Sequence, residues 1–120
     1  MATIKQSDFI ESVADALQYI SYYHPEDFIT NLTRAYELEQ SPSAKDAMAQ
    51  ILINSRMCAE GHRPICQDTG IVTIFLKVGM EAVWQGPNGG PATLDLQAMC
   101  DEGVRRAYLD PDNKLRGSIL

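Results

Sequence analysis

Apolar residues recur at the three- and four-residue intervals of amphipathic helices through the first sixty positions, then every second residue. Ile10, Val13, Ala14, Leu17 and Ile20, with the small Ser21, share one helical face, and Asp8 followed by Glu11 fits a capping box in its Asp variant. His24-Pro25 ends this helix and begins a second, since proline suits the first helical position. Phe28, Ile29, Leu32, Ala35 and Tyr36 form the second stripe. Ser41-Pro42 repeats the punctuation, and Met48, Ile51, Leu52, Ser55, Cys58 and Ala59 give a third helix that Gly61 stops.

Beyond Gly61 the period changes. Ile71 to Val78 is rich in β-branched residues, with Val72, Ile74, Leu76 and Val78 on one face and Ile71, Thr73, Phe75 and Lys77 on the other. This pattern predicts a largely buried strand. A short second strand is expected over Glu81 to Gln85, a loop over Gly86 to Pro91, a helix from about Leu94 to Leu109 and a turn over Asp110 to Asn113. The helical stripe of that last segment is Leu96, Met99, Cys100, Gly103, Val104, Ala107 and Tyr108. The expected fold class is α+β, helix-rich with a small β-sheet. A length of 120 residues suits one small domain or a piece of a larger one. Ser118-Ile119-Leu120 reads like the start of an apolar segment.

Charge narrows the partners. The formal net charge is −6 and no run of Lys or Arg stands against it, so no nucleic-acid partner is expected. No apolar run reaches membrane-spanning length, and Met1 to Phe9 does not read as a secretory signal. Cys58, Cys66 and Cys100 are odd in number and widely spaced, unlike a secreted disulfide framework. A reducing cytoplasm is the simpler expectation, and it leaves thiols available to metal.

Cys66-Gln67-Asp68-Thr69-Gly70 lies between a helix end and the expected strand, where a rigid scaffold can aim side chains. It offers in succession a soft metal ligand, a neutral hydrogen-bonder and a carboxylate. The same residues also read as a polar turn with a cysteine packed beside it. Cys58 and Cys100 lie on apolar helix faces and are expected to be structural. His24 precedes a proline at a helix start and suits turn duty, whereas His62 lies close to the motif. The Gly86 to Gly90 loop lacks the Lys and the strand–loop–helix order of a phosphate cradle, and Trp84 beside it suits packing.

Arg63-Pro64-Ile65-Cys66-Gln67-Asp68-Thr69-Gly70 resembles the cluster-binding segment of the class I, iron–sulfur fumarases. Ser21-Tyr22-Tyr23-His24-Pro25, Asn54 to His62 and Gly103-Val104-Arg105-Arg106-Ala107-Tyr108 resemble the same family in order. The Pro-x-Cys-Gln-Asp-Thr-Gly core is shared with the alpha subunit of the related iron–sulfur tartrate dehydratases. The resemblance implies the amino-terminal portion, residues 1–120, of a larger α/β catalytic domain, truncated here. It implies Cys66 as one thiolate ligand of a 4Fe–4S cluster, with two more cysteines beyond Leu120. It also implies that Gln67 and Asp68 contact a small dicarboxylate, with Asp68 managing the hydroxyl proton as a catalytic residue. Asn113-Lys114-Leu115-Arg116 resembles a further segment in which the arginine grips a substrate carboxylate, as a bidentate guanidinium can. The implied reaction is reversible hydration of fumarate to (S)-malate, with tartrate dehydration as the alternative. The implied assembly is a homodimer, completed by the rest of the polypeptide or by a partner subunit. Two readings of other classes stand beside this one. Asp68-Thr69-Gly70 is also the signature of aspartic proteases, but those are all-β and here three helices come first. A non-catalytic helical interaction module predicts no iron.

Overall fold

The computed structural model describes residues 1–66, 70–112 and 115. The chain divides into two compact units, Met1–Gln18 with Thr69–Leu120, and Tyr19–Asp68. In chain order the elements are β1 (Ala2–Lys5), α1 (Gln6–Tyr22), α2 (Glu26–Leu38), α3 (Pro42–Gly61), β2 (Ala82–Gln85) and α4 (Leu96–Leu109). The fold is α+β and helix-rich, with a two-stranded parallel sheet.

In the first unit β1 pairs with β2 in register, Ala2 opposite Ala82 and Lys5 opposite Gln85. The expected second strand is therefore present as β2. Its partner β1 was not expected, because four residues with one large apolar side chain carry no alternation to read. The first helix starts at Gln6, not at an Asp8 cap. Asp8 instead falls in the first turn, where a carboxylate favours the positive helix end. Gln6 is buried, and its Oε1 accepts from Thr93 N at 2.9 Å, Thr93 Oγ1 at 3.2 Å and Leu94 N at 3.1 Å. That one side chain ties the head of α1 to the segment leading into α4. Asp95 caps α4 by accepting from Ala98 N at 2.8 Å.

The core of this unit holds Ile10, Ala14 and Leu17 from α1, and Met99, Cys100, Ala107 and Tyr108 from α4. Gly103 marks the close approach. A Cβ there would lie 2.6 Å from Val13 Cγ1 and 3.0 Å from the Ile10 carbonyl oxygen. Burial, with Asp101 adding to it, pushes the Cys100 thiol pKa up. Trp84 packs edge-on against Phe9 with ring centroids 5.2 Å apart, the packing role its position suggested. The glycine-rich loop closes on itself through Gly86 N to Gly90 O at 2.8 Å and Gly89 N to Gly86 O at 3.2 Å.

Ile71 to Val78 is a correction. The segment is neither strand nor helix, and most of it is exposed. Ile71 and Phe75 are 88% and 92% exposed. The alternation survives only at Val72 and Ile74, which are half-buried and line a groove with Leu96, Cys100 and Val104 of α4. The physical reason is pairing. A strand is stabilised by a neighbour's backbone and cross-strand side chains, and among the described residues the segment's backbone finds no hydrogen-bond partner.

The second unit holds the end of α1, with α2 packed on α3. Of the α2 stripe, Ile29, Leu32, Ala35 and Tyr36 are half-buried and Phe28 is exposed, and no α2 residue is fully buried. Pro25 is the residue just before α2, one position earlier than the sequence suggests. Among the described residues of this unit Ser21, Tyr22, Ser55 and Cys58 are buried. Lys45 Nζ sits 4.8 Å from the Tyr36 ring centroid and covers the outer side of that ring.

Candidate functional site

The second unit builds the platform on which Cys66 stands. Helix α3 ends at Gly61, and the next residue, His62, turns the chain through a left-handed conformation (φ 49, ψ 57). Its backbone N–H and that of Arg63 both return to the Cys58 carbonyl, so the helix end is closed without a glycine in the left-handed position. The His62 ring stacks on Tyr22 at 5.6 Å with planes 3° apart, and its Nε2 lies 3.1 Å from Tyr23 Oη. Ile65 N donates to Ser21 O at 2.8 Å and fastens the loop to the end of α1. Cys66 N donates to Asn54 Oδ1 at 3.1 Å. The Cys58 thiol, buried beneath, points to Pro64 O at 3.3 Å and to Asn54 Oδ1 at 3.6 Å.

The three cysteines divide as their positions suggested. Cys58 and Cys100 are buried, and Cys66 is exposed. Cys58 nevertheless lies near the Cys66 backbone. It shares the Asn54 acceptor with the Cys66 backbone because the loop from Gly61 folds back over the last turns of α3. Among the described residues the Cys66 thiol itself has no hydrogen-bond partner. It borders an open groove of about 580 Å³ lined also by His24, Gln50, Ile51, Asn54 and Ile65. His24 is held there by Ser55 Oγ at 2.9 Å from its Nδ1 and by stacking on Phe28 at 4.5 Å.

Gln67, Asp68 and Arg116, the other residues singled out by the sequence, lie outside the described residues, as do Asn113 and Lys114. Among the described residues no three of His, Cys, Asp and Glu gather as a metal-binding group. Cys66 nonetheless has the exposure and the unengaged sulfur that a thiolate ligand needs, so the chain fits a metal group as the donor of one ligand. Asn54 was not expected as part of this site. Its signal in the sequence is only that it stands one helical turn before Cys58, on the same face.

A family model described as fumarate hydratase (Fumerase) matches residues 10–120. The chain belongs to the fumarate hydratase family. An L(+)-tartrate dehydratase subunit alpha of Escherichia coli O157:H7 is 33% identical over 99 residues, which is 82% of this chain and 30% of that protein. The namesake from strain K12 is 33% identical over 97 residues, 81% of this chain and 29% of the relative. A Methanocaldococcus jannaschii protein, described as a candidate alpha subunit of the same enzyme, is 36% identical over 67 residues. That match covers 56% of this chain and 24% of its own length. The fumarate hydratase-family chain thus spans less than a third of the curated relatives it matches. Its family is one of hydro-lyases, and no helix among the described residues is long and apolar enough to cross a membrane.

Proposed function

We propose that this chain is part of an iron–sulfur hydro-lyase that reversibly hydrates fumarate to (S)-malate. In this reading residues 1–120 are the amino-terminal portion of the catalytic domain. The observation that carries it is the presentation of Cys66: one exposed, unengaged thiol on an anchored loop, while the other two thiols are buried. Cys66 would hold a 4Fe–4S cluster through its thiolate, the other ligands coming from outside this chain. When bound, such a cluster supplies a Lewis-acidic iron with an open coordination position for the substrate hydroxyl and a carboxylate.

The chain's own residues do the rest. Gln67 donates from its amide to a substrate carboxylate or hydroxyl. Asp68 accepts from the substrate hydroxyl and takes charge of its proton, which only a carboxylate at that position can do. Arg116 clamps a carboxylate with its planar guanidinium. The substrate is a small dicarboxylate, and the site is completed by the rest of the polypeptide or by a partner subunit, in a cytoplasmic homodimer. A second reading, L(+)-tartrate dehydration with the same ligand and binding residues, is favoured by the names of the relatives.

The test is made on the full polypeptide, with its partner subunit if it has one. Iron and sulfide content and visible absorption are compared between the parent and Cys66→Ser, and turnover is measured with fumarate, malate and L(+)-tartrate. Loss of cluster and activity in Cys66→Ser is expected. An intact cluster in that variant would remove Cys66 from the ligand set, and the preferred substrate decides between the two reactions.

A further inference from the structure

Cys58 and Cys66 both meet Asn54 where the loop closes over α3, and only Cys66 is exposed. Cys58 and Cys66 are the same chemical group on the same fold, so something local must decide which is offered to a metal. The residue common to both is Asn54. Its Oδ1 accepts from the Cys66 backbone N–H at 3.1 Å and lies 3.6 Å from the Cys58 sulfur. Both neighbours are donors, so the amide must turn its oxygen toward them, because Nδ2 in that place would set donor against donor.

The two contacts act in opposite senses. A metal takes a cysteine as thiolate, but Cys58 faces two acceptors, Asn54 Oδ1 and the Pro64 carbonyl at 3.3 Å. Those two contacts hold the Cys58 sulfur inward, beneath the loop. Cys66 meets no acceptor at its sulfur among the described residues. Asn54 fixes it by the main chain only, which settles where the side chain starts and leaves the sulfur open to the groove.

We infer that Asn54 is a positioning residue that selects the ligand cysteine: it holds the Cys58 thiol inward and sets the Cys66 backbone so that its thiol faces outward. The inference rests on the reading of Cys66 as a metal ligand. The groups that support ligands in this way typically change metal affinity about 10- to 100-fold when removed.

The test is thiol footprinting of the full polypeptide without metal. N-ethylmaleimide labelling is followed by peptide mass spectrometry, so that Cys58, Cys66 and Cys100 are read separately. In the parent, Cys66 is labelled quickly and the other two slowly. In Asn54→Ala, labelling of Cys58 is expected to rise about tenfold, the factor for one lost hydrogen bond of ordinary strength, with Cys100 unchanged. Asn54→Asp retains acceptor oxygens at the same place and is expected to keep the parent pattern. Iron bound after anaerobic reconstitution should fall in Asn54→Ala and recover in Asn54→Asp. Unchanged Cys58 labelling in Asn54→Ala would overturn the inference. So would a parallel rise at Cys100, which reports general loosening of the fold, or an alanine-like pattern in Asn54→Asp. A cluster that survives Cys66→Ser would sink the ligand reading separately, without altering what the footprint says of Asn54.

Discussion

His62 illustrates how a residue with no assigned chemistry can hold a site in shape. A left-handed backbone costs a non-glycine residue about 1–2 kcal/mol. Its ring stacking on Tyr22 and its hydrogen bond to Tyr23 can each return about 1 kcal/mol, so the turn that launches the Cys66 loop is about balanced. Glu102 shows a different local effect. It accepts from Arg105 at 2.7 and 2.9 Å and from Arg106 at 2.9 Å. These hydrogen bonds, Arg105 first, draw its pKa from 4.5 to about 2. The folded-state pKa is depressed, so the contribution is complete above the unfolded value and is lost as pH falls through about 2. Thermal midpoints measured from pH 5 to pH 2 should fall more steeply for the parent than for Glu102→Gln. Parallel slopes would mean the cluster on α4 adds nothing to stability.

At the scale of elements, α1 and α4 meet where Gly103 lets them. Alanine at that position gains about 1 kcal/mol of helix propensity. Against this, the added methyl meets Val13 Cβ at 2.7 Å and the Ile10 carbonyl at 3.0 Å. Turning the valine would move its Cγ1 but not its Cβ, and the carbonyl belongs to α1's own hydrogen-bond ladder, so neither can yield without moving the helix. Overpacking costs typically about 1–3 kcal/mol, so with the helix gain of about 1 kcal/mol set against it Gly103→Ala should destabilise the protein by up to about 2 kcal/mol net. Urea denaturation with an unchanged slope and a lower midpoint would bear this out. A midpoint at or above the parent's would show that the two helices have room to separate.

At the scale of the whole molecule, the chain offers one exposed thiol and buries two. A cluster held by three cysteines needs three thiolates converging on one point. Releasing Cys58 or Cys100 would empty packed positions, a change that carries a cavity cost. The 120-residue chain by itself is therefore expected to retain no stoichiometric cluster after anaerobic reconstitution and to show no hydration of fumarate. Iron and sulfide analysis with visible spectra checks this. A full, active cluster on the isolated chain would show that its buried cysteines do serve as ligands.

Legible in the sequence were the four helices, the short strand over Ala82 to Gln85, the buried face of α4 and the burial of Cys58 and Cys100. Helical period is a local property, and a cysteine on an apolar stripe goes inside wherever that stripe packs. The motif around Cys66 was legible because its residue types are unusual together, whatever surrounds them. The remaining features depend on partners far away in sequence. Ala2 to Lys5 becomes a strand because Ala82 to Gln85 lies beside it. Ile71 to Val78, with the stronger strand pattern, does not, because among the described residues no backbone pairs with it. Gln6 draws its role from Thr93 and Leu94, and Asn54 from a loop that returns to it twelve residues later. Period reports which face of an element is apolar, but a hydrogen bond between distant residues exists only once the chain has folded to bring them together.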